Sequence, residues 1–248
     1  MEKIAVLTSG GDSPGMNAAI RAVVRTGIYH SIEVYGIDRG FKGLFKGDFF
    51  PLPSQSVSNI IQKGGTILKS ARFEKFRTKE GRAKAAQQLK TKGIDGLIAI
   101  GGDGTFSGCQ LMSQEHGIPT IGIPGTIDND LYGTDYTLGY DTAINTALDA
   151  VDRLRDTADS HDRLFFIEVM GRDAGFIALN VGLSGGAEAI MIPETDTNLD
   201  YVADKLNQGW QRQKTSSIIV VAEGDEEGGA FDVVQKIKDQ IPEFEYRV

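Results

Sequence analysis

Residues 96–108 read "GLIAIGGDGTFSG". A short apolar run, rich in isoleucine, stops at a glycine pair and passes into a helical pattern. A strand that ends in glycines and feeds a helix presents bare backbone N–H groups and the positive end of the helix to an anion. Asp103 stands in the middle of that turn. Two negative groups at close range repel strongly at low effective dielectric, so a cation belongs between this carboxylate and any bound phosphate.

A second loop of the same kind lies upstream. "LTSGGDSPG" at 7–15 follows "KIAVLT" and precedes "MNAAIRAVVRTGIYH", whose Ile20, Val23, Val24 and Gly27 share one helical face. Neither loop has the GK[ST] of a Walker motif or the G-x-G-x-x-G dinucleotide spacing. One such glycine pair alone reads most simply as a tight turn; two, each after a strand, make phosphate binding the better account. Further apolar runs, "EVYGI", "IPTIGI", "LFFIEVM", "EAIMI" and "SIIVVAE", read as buried strands, and "DTAINTALDAVDRLRD" reads as a helix. The alternation predicts an α/β protein of two doubly wound domains, with largely parallel sheets and helices on both faces. A domain change is expected near residue 138, giving domains 1–138 and 139–248. Residues 40–77 are the least regular stretch, and "EGDEEGGAFD" at 223–232 reads as an exposed turn. "PGTIDND" at 124–130 adds Asp128 and Asp130 after a strand. These acids form either an Asx-rich turn or, beside phosphate, ligands of Mg²⁺ and a general base.

The totals set limits. The chain has 248 residues, 40% hydrophobic and 24% charged, with a formal net charge of −8. That balance argues against broad nucleic-acid binding and requires any phosphate site to gather arginines locally. No apolar run is long enough to span a membrane, the start lacks a signal-peptide layout, and the single Cys109 fits a reducing, cytoplasmic setting as a packing residue. His30, His116 and His161 lack metal-ligand spacing, and Trp210 reads as partial core.

In chain order, "LTSGGDSPGMNAAIR", "GGT", "SARF", "IGGDGT", "PGTIDND", "DTA", "VDRLRDTADSHDR", "EVMGR" and "VVAEG" resemble the bacterial ATP-dependent 6-phosphofructokinases. "GGDGT" alone is shared with NAD kinases and diacylglycerol kinases, whereas "PGTIDND" followed by "EVMGR" is specific. The resemblance covers essentially the whole chain. It implies transfer of the ATP γ-phosphoryl group to the 1-hydroxyl of fructose 6-phosphate, a glycolytic step, by a cytoplasmic homotetramer. By the same resemblance Gly11, Arg72, Arg77, Gly101, Gly102, Asp103, Gly104, Thr105 and Gly108 match ATP-binding positions, with Asp103 holding Mg²⁺. Asp128 matches the general base, with Thr126 and Asp130 beside it. Arg72 and Arg172 match catalytic cations. Met170, Gly171, Arg172 and Glu223 match sugar-phosphate contacts, and Arg163 an arginine that reaches a neighbouring subunit's site. Arg21, Arg25, Arg155, Glu188, Arg212 and Lys214 match effector contacts for ADP and phosphoenolpyruvate, although the arginine pair on its own reads as a solvated helix face. Glycines at 104 and 125, where pyrophosphate-dependent relatives carry aspartate and lysine, favour ATP as donor.

The resemblance also has departures. The family continues past "FEYRV" with a "GHxQRGG"-type segment that binds the sugar phosphate, and Arg247 aligns only loosely with the last arginine before it. Ser54 and Asn59 stand where relatives often carry arginine and aspartate, which implies a weakened effector response. Two readings follow: a sugar-phosphate kinase, or a nucleotide-binding fragment or regulatory form without turnover.

Overall fold

The computed structural model describes residues 1–161, 163–214, 216–242 and 245–248. It divides into two compact units, one of Met1–Ile127 with Leu131–Gly139, the other of Asp128–Asp130 with Tyr140–Val248.

In the first unit the chain order is β1 (Lys3–Thr8), α1 (Met16–Tyr29), β2 (Glu33–Ile37), α2 (Gly40–Lys46), β3 (Phe49–Pro51), α3 (Lys79–Lys92), β4 (Gly96–Gly101), α4 (Asp103–His116), β5 (Thr120–Thr126) and β6 (Leu138–Gly139). The sheet order is β3-β2-β1-β4-β5-β6, parallel throughout except for the β2–β3 pair. Alternation along β1 divides the core between the two faces. Ala5 and Leu7 pack with α2, α3 and α4 through Leu44, Leu89 and Met112, whereas Ile4 and Val6 pack with α1 through Met16, Ile20 and Val24. α3 is bounded by local chemistry: the Thr78 side chain accepts from Gly81 N at 3.0 Å, and Gly93 closes it at φ 70°.

The connections leave β1 toward β2 on one side and β4 toward β5 on the other. The strand order therefore reverses between β1 and β4, and a crevice opens at their carboxyl ends. Both Gly-Gly-Asp loops leave the sheet there.

The irregular stretch 40–77 holds α2, β3 and two single-turn 3₁₀ helices, Ser54–Val57 and Glu74–Arg77. It also supplies Leu52, Val57, Ile60 and Leu68 to the core, which explains how it stays ordered with little regular structure. The loop expected at 124–130 begins later than the sequence suggests. β5 continues through Pro124 to Thr126 because β6 pairs with Gly125 and Thr126, and proline is tolerated where the strand edge lies open.

The second unit runs α5 (Tyr140–His161), β7 (Arg163–Val169), α6 (Phe176–Gly185), β8 (Ala189–Met191), α7 (Leu199–Gln211), β9 (Ser217–Ala222), α8 (Ala230–Ile237) and β10 (Glu245–Arg247). Its sheet, β10-β7-β9-β8, is entirely parallel. α7 and α8 bury Leu206, Val233 and Ile237 against Leu164, Phe166, Ile219 and Val221 on one face, while α5 and α6 pack together on the other. Because α6 leaves β7 to one face and α8 leaves β9 to the opposite face, a second reversal lies between β7 and β9. Trp210 packs at the margin of this core. Each unit is doubly wound, with helices on both sheet faces. No helix among the described residues is long and apolar enough to cross a membrane.

Candidate functional site

At the first reversal the two glycine loops are bonded to each other. Ser9 N donates to Ile100 O at 3.0 Å, and the buried Thr105 hydroxyl donates to Ser9 O at 3.2 Å. That closeness dictates glycine at 101, where a β-carbon would sit 2.4 Å from Ser9 O. Gly11 and Gly104 are glycines of another kind. A β-carbon at either would meet nothing within 4 Å, so packing does not require them and they leave open space beside the loops. Gly102 begins α4 without a side-chain cap, and the exposed Asp103 lies in its first turn.

A third strand of chain is lashed to this edge. Asn17 donates to Lys63 O at 3.0 Å and Gly64 O at 3.1 Å, and accepts from Ile67 N at 2.8 Å. The Thr8 hydroxyl donates to Lys69 O at 2.8 Å, and Ser70 Oγ donates to Gly10 O at 2.7 Å. These bonds carry Arg72, exposed and without an ion pair among the described residues, to the same edge. Arg77 is less committed: it pairs with Glu74 at 3.2 Å, both largely in solvent, where such pairs add little. Gly108 has a packing explanation, since its β-carbon would press on Phe76 at 3.0 Å and Phe41 at 3.4 Å. Gly125 is likewise fixed by Ile100 at 2.9 Å and Met16 at 3.1 Å. Thr126 ends β5, and its carbonyl accepts from Thr137 Oγ1 at 2.7 Å.

The second reversal gathers another set. Asp128 is buried, 5% exposed, and its Oδ2 lies 3.3 Å from Arg172 Nε, whose side chain is 64% exposed. A buried carboxylate is tolerated when a guanidinium faces it. The turn that aims Arg172 is strained: Gly171 has φ 148° and Arg172 itself φ 53°. Glu223 holds it, with Oε1 accepting from Gly171 N at 3.1 Å and Arg172 N at 2.7 Å. Glu223 is in turn registered by its own N–H, which donates to Val169 O at 3.0 Å. Met170 is exposed beside this turn, and Asp130 is exposed after Asn129, which adopts φ 55°.

Arg163 is not brought to this cluster. It opens β7 whereas Met170–Arg172 follow its other end, and seven residues at about 3.3 Å each separate them by about 20 Å. Its guanidinium lies 3.6 Å from Glu245, and its buried Nε has no hydrogen-bond partner among the described residues.

The effector-type residues fall into two groups. On the first unit Arg21 donates to Val57 O at 2.9 Å, Arg25 is exposed, Ser54 opens a 3₁₀ turn and Asn59 adopts φ 56°. On the second, Arg155 donates to the carbonyls of Gly185 and Gly186, and Lys214 pairs with Glu188, whose other oxygen accepts from Ile218 N at 2.5 Å. Arg212 is exposed at the end of α7.

Burial pushes the Cys109 thiol up to about 12, so it stays protonated and unreactive, in keeping with a packing role. His30 is exposed against Tyr29, and His116 ends α4 3.8 Å from Glu115. The side chain of His161 lies outside those described. No cluster of three His, Cys, Asp or Glu able to hold a metal occurs among the described residues. Magnesium beside phosphate needs only one or two carboxylates and completes its shell with phosphate oxygens and water. The exposed Asp103 beside open space at Gly104 is a donor of that kind.

The sequence profile of the phosphofructokinase family matches residues 3–248. The chain belongs to the phosphofructokinase family. It is 58% identical over 248 residues to an ATP-dependent 6-phosphofructokinase of Cytophaga hutchinsonii, covering 100% of this chain and 76% of that relative. To ATP-dependent 6-phosphofructokinase 1 of Thermus thermophilus it is 59% identical over 241 residues, covering 97% of this chain and 75% of the relative. Among solved phosphofructokinase structures, that from Saccharomyces cerevisiae superposes with a TM-score of 0.92 at 35% identity, over 100% of this chain and 37% of the yeast chain. A pyrophosphate-dependent phosphofructokinase from Marinobacter aquaeolei shares the fold, with a TM-score of 0.84 at 24% identity, over 99% of this chain and 67% of that one.

Proposed function

We propose that this chain transfers the γ-phosphoryl group of Mg-ATP to the 1-hydroxyl of fructose 6-phosphate, giving fructose 1,6-bisphosphate and ADP. The observation that carries the proposal is the buried Asp128 carboxylate facing the exposed Arg172 at 3.3 Å at the carboxyl edge of a parallel sheet. A carboxylate held there can accept the proton of an attacking hydroxyl, and a guanidinium beside it can donate to phosphoryl oxygens. The hydroxyl oxygen bonds to the γ-phosphorus as the bond to the bridging oxygen breaks. The proton goes to Asp128, and ADP leaves with the bond's electron pair. Such a transfer is mostly positioning and neutralisation of charge.

The first unit carries the nucleotide-binding groups. Gly101–Thr105 and the start of α4 offer N–H groups and helix-end charge to the phosphates, with Arg72 adding a cation. Asp103 would hold Mg²⁺ together with phosphate oxygens, and the ion would supply positive charge against the phosphate. Within the second unit, Met170, Gly171, Arg172 and Glu223 are the sugar-phosphate contacts. The open space at Gly104 supports ATP as donor, because it leaves room beside the phosphate loop. Arg163, far from Arg172 along β7, supports a role in a neighbouring subunit's site and hence a homotetramer. Arg21, Arg25, Arg155, Glu188, Arg212 and Lys214 form the effector set. Arg155 and Lys214 are already engaged within the chain, and with Ser54 and Asn59 this favours a weak response to ADP and phosphoenolpyruvate.

The test is a coupled assay of ADP release by the purified chain with Mg-ATP, with and without fructose 6-phosphate. Sugar-dependent ADP release is the expected result. ATP binding without turnover would instead favour a nucleotide-binding form.

A further inference from the structure

We propose that Lys69 is a further phosphate-binding residue of the nucleotide site, contacting the polyphosphate of a nucleoside triphosphate. The inference rests on the function proposed above.

Lys69 adopts φ 57°, a left-handed conformation that glycine enters freely and residues with a β-carbon seldom do. Such a conformation costs energy and persists where the surroundings impose it; Arg172, beside Asp128, is another of the seven such non-glycine residues among those described. The position of Lys69 is fixed from both sides. Its carbonyl accepts from the fully buried Thr8, the last residue of β1, at 2.8 Å, and the next residue, Ser70, donates to Gly10 O at 2.7 Å. The Lys69 backbone therefore lies at the carboxyl end of β1, beside the Gly10–Gly11 turn, where the sheet order reverses. Gly11 there leaves open space.

Charge points the same way. The two phosphate loops carry Asp12 and Asp103 in a chain of net charge −8, so a polyphosphate entering this edge requires cations supplied locally. The exposed Lys69 ammonium has no ion pair or hydrogen bond among the described residues, unlike Lys214 and Lys236, which pair with Glu188 and Glu227. It belongs to the same tethered segment as Arg72, which is also exposed and without an ion pair among the described residues. A lysine is a point charge on a flexible stem, suited to following a phosphate rather than gripping it in a fixed fork.

The experiment compares Mg-ATP and AMP binding by calorimetry for the wild-type chain, K69M and K69G. A thermal melt of each monitors the fold. K69M removes the charge and keeps the stem; K69G removes both and relaxes the left-handed backbone. The expected result is that both variants remain folded and bind Mg-ATP about tenfold more weakly, with a shallower salt dependence, while AMP binding is unchanged. If K69M binds Mg-ATP as the wild type does, Lys69 is only a turn residue and the inference falls, with the proposed function intact. If the wild type itself binds no Mg-ATP, the proposed function falls and the role of Lys69 falls with it.

Discussion

Asp128 and Glu223 do different work at one cluster, and substitutions can separate them. Asp128→Asn keeps the size of the side chain and removes its capacity to take a proton. The expected outcome is a kcat lower by on the order of 100-fold with KM for both substrates nearly unchanged, read from steady-state kinetics. Loss of ATP affinity with turnover preserved would make Asp128 a binding group. Glu223 acts on the backbone of Gly171 and Arg172 through a single oxygen, which a glutamine amide oxygen can replace. Glu223→Gln is therefore expected to keep kcat within a few-fold, whereas Glu223→Ala releases the strained turn and lowers it about 100-fold. Equal losses in the two variants would show that the charge of Glu223, not its acceptor geometry, is what matters.

Elements are joined by contacts of very different legibility. Arg82 on α3 is buried and meets Glu115 on α4 through two bonds of 2.7 Å, which hold the Glu115 carboxyl below its ordinary value of 4.5. Its largest cause is the Arg82 hydrogen bond. A depressed carboxylate stabilises the fold above its unfolded value, and the contribution is lost as acid protonates it. Thermal melts of Glu115→Gln should thus lie on the order of 5 °C below wild type at pH 7, with the gap closing below about pH 4.5. A gap unchanged down to pH 3 would remove the ionic account. Nothing in the sequence announced this pair, whose partners are 33 residues apart. The strands were legible because Val- and Ile-rich runs bounded by Gly, Pro or Ser are hard to read otherwise, but the burial of "IPTIGI" was not: β5 buries only Gly125 and leaves Ile121 63% exposed. β6 and β10, two and three residues long, carry no periodicity to detect. The glycine loops and the "PGTIDND" acids were legible as chemistry. The Asn17, Thr8 and Ser70 tethers were not, because a side chain bonded to a backbone atom 46 to 61 residues away leaves no local pattern.

At the scale of the whole molecule, the distance between Arg163 and Arg172 along β7 makes the two arginines poor candidates for one site in one copy. If Arg163 serves a neighbour, Arg163→Ala and Asp128→Asn chains, each weakly active alone, should recover activity when refolded together, since some mixed assemblies pair an intact base with an intact arginine. Activity equal to the sum of the separate variants would place Arg163 outside any shared site. The acidic total is informative at this scale too. With a net charge of −8, attraction between chain and polyphosphate must come from cations held at particular edges, so ATP binding should weaken on adding salt even though the whole chain repels anions.

Gly104 and Gly125 differ in what surrounds them. A side chain at 125 would press on Ile100 and Met16, so change there first disturbs the core. A side chain at 104 would meet nothing within 4 Å in a helical turn, where glycine is itself a weak helix former. Gly104→Asp is therefore expected to melt no lower than wild type while weakening Mg-ATP binding. On the proposed function, where position 104 bears on the donor, such a change would pass through no unstable ancestor, so that route would stand open at 104 and gated at 125.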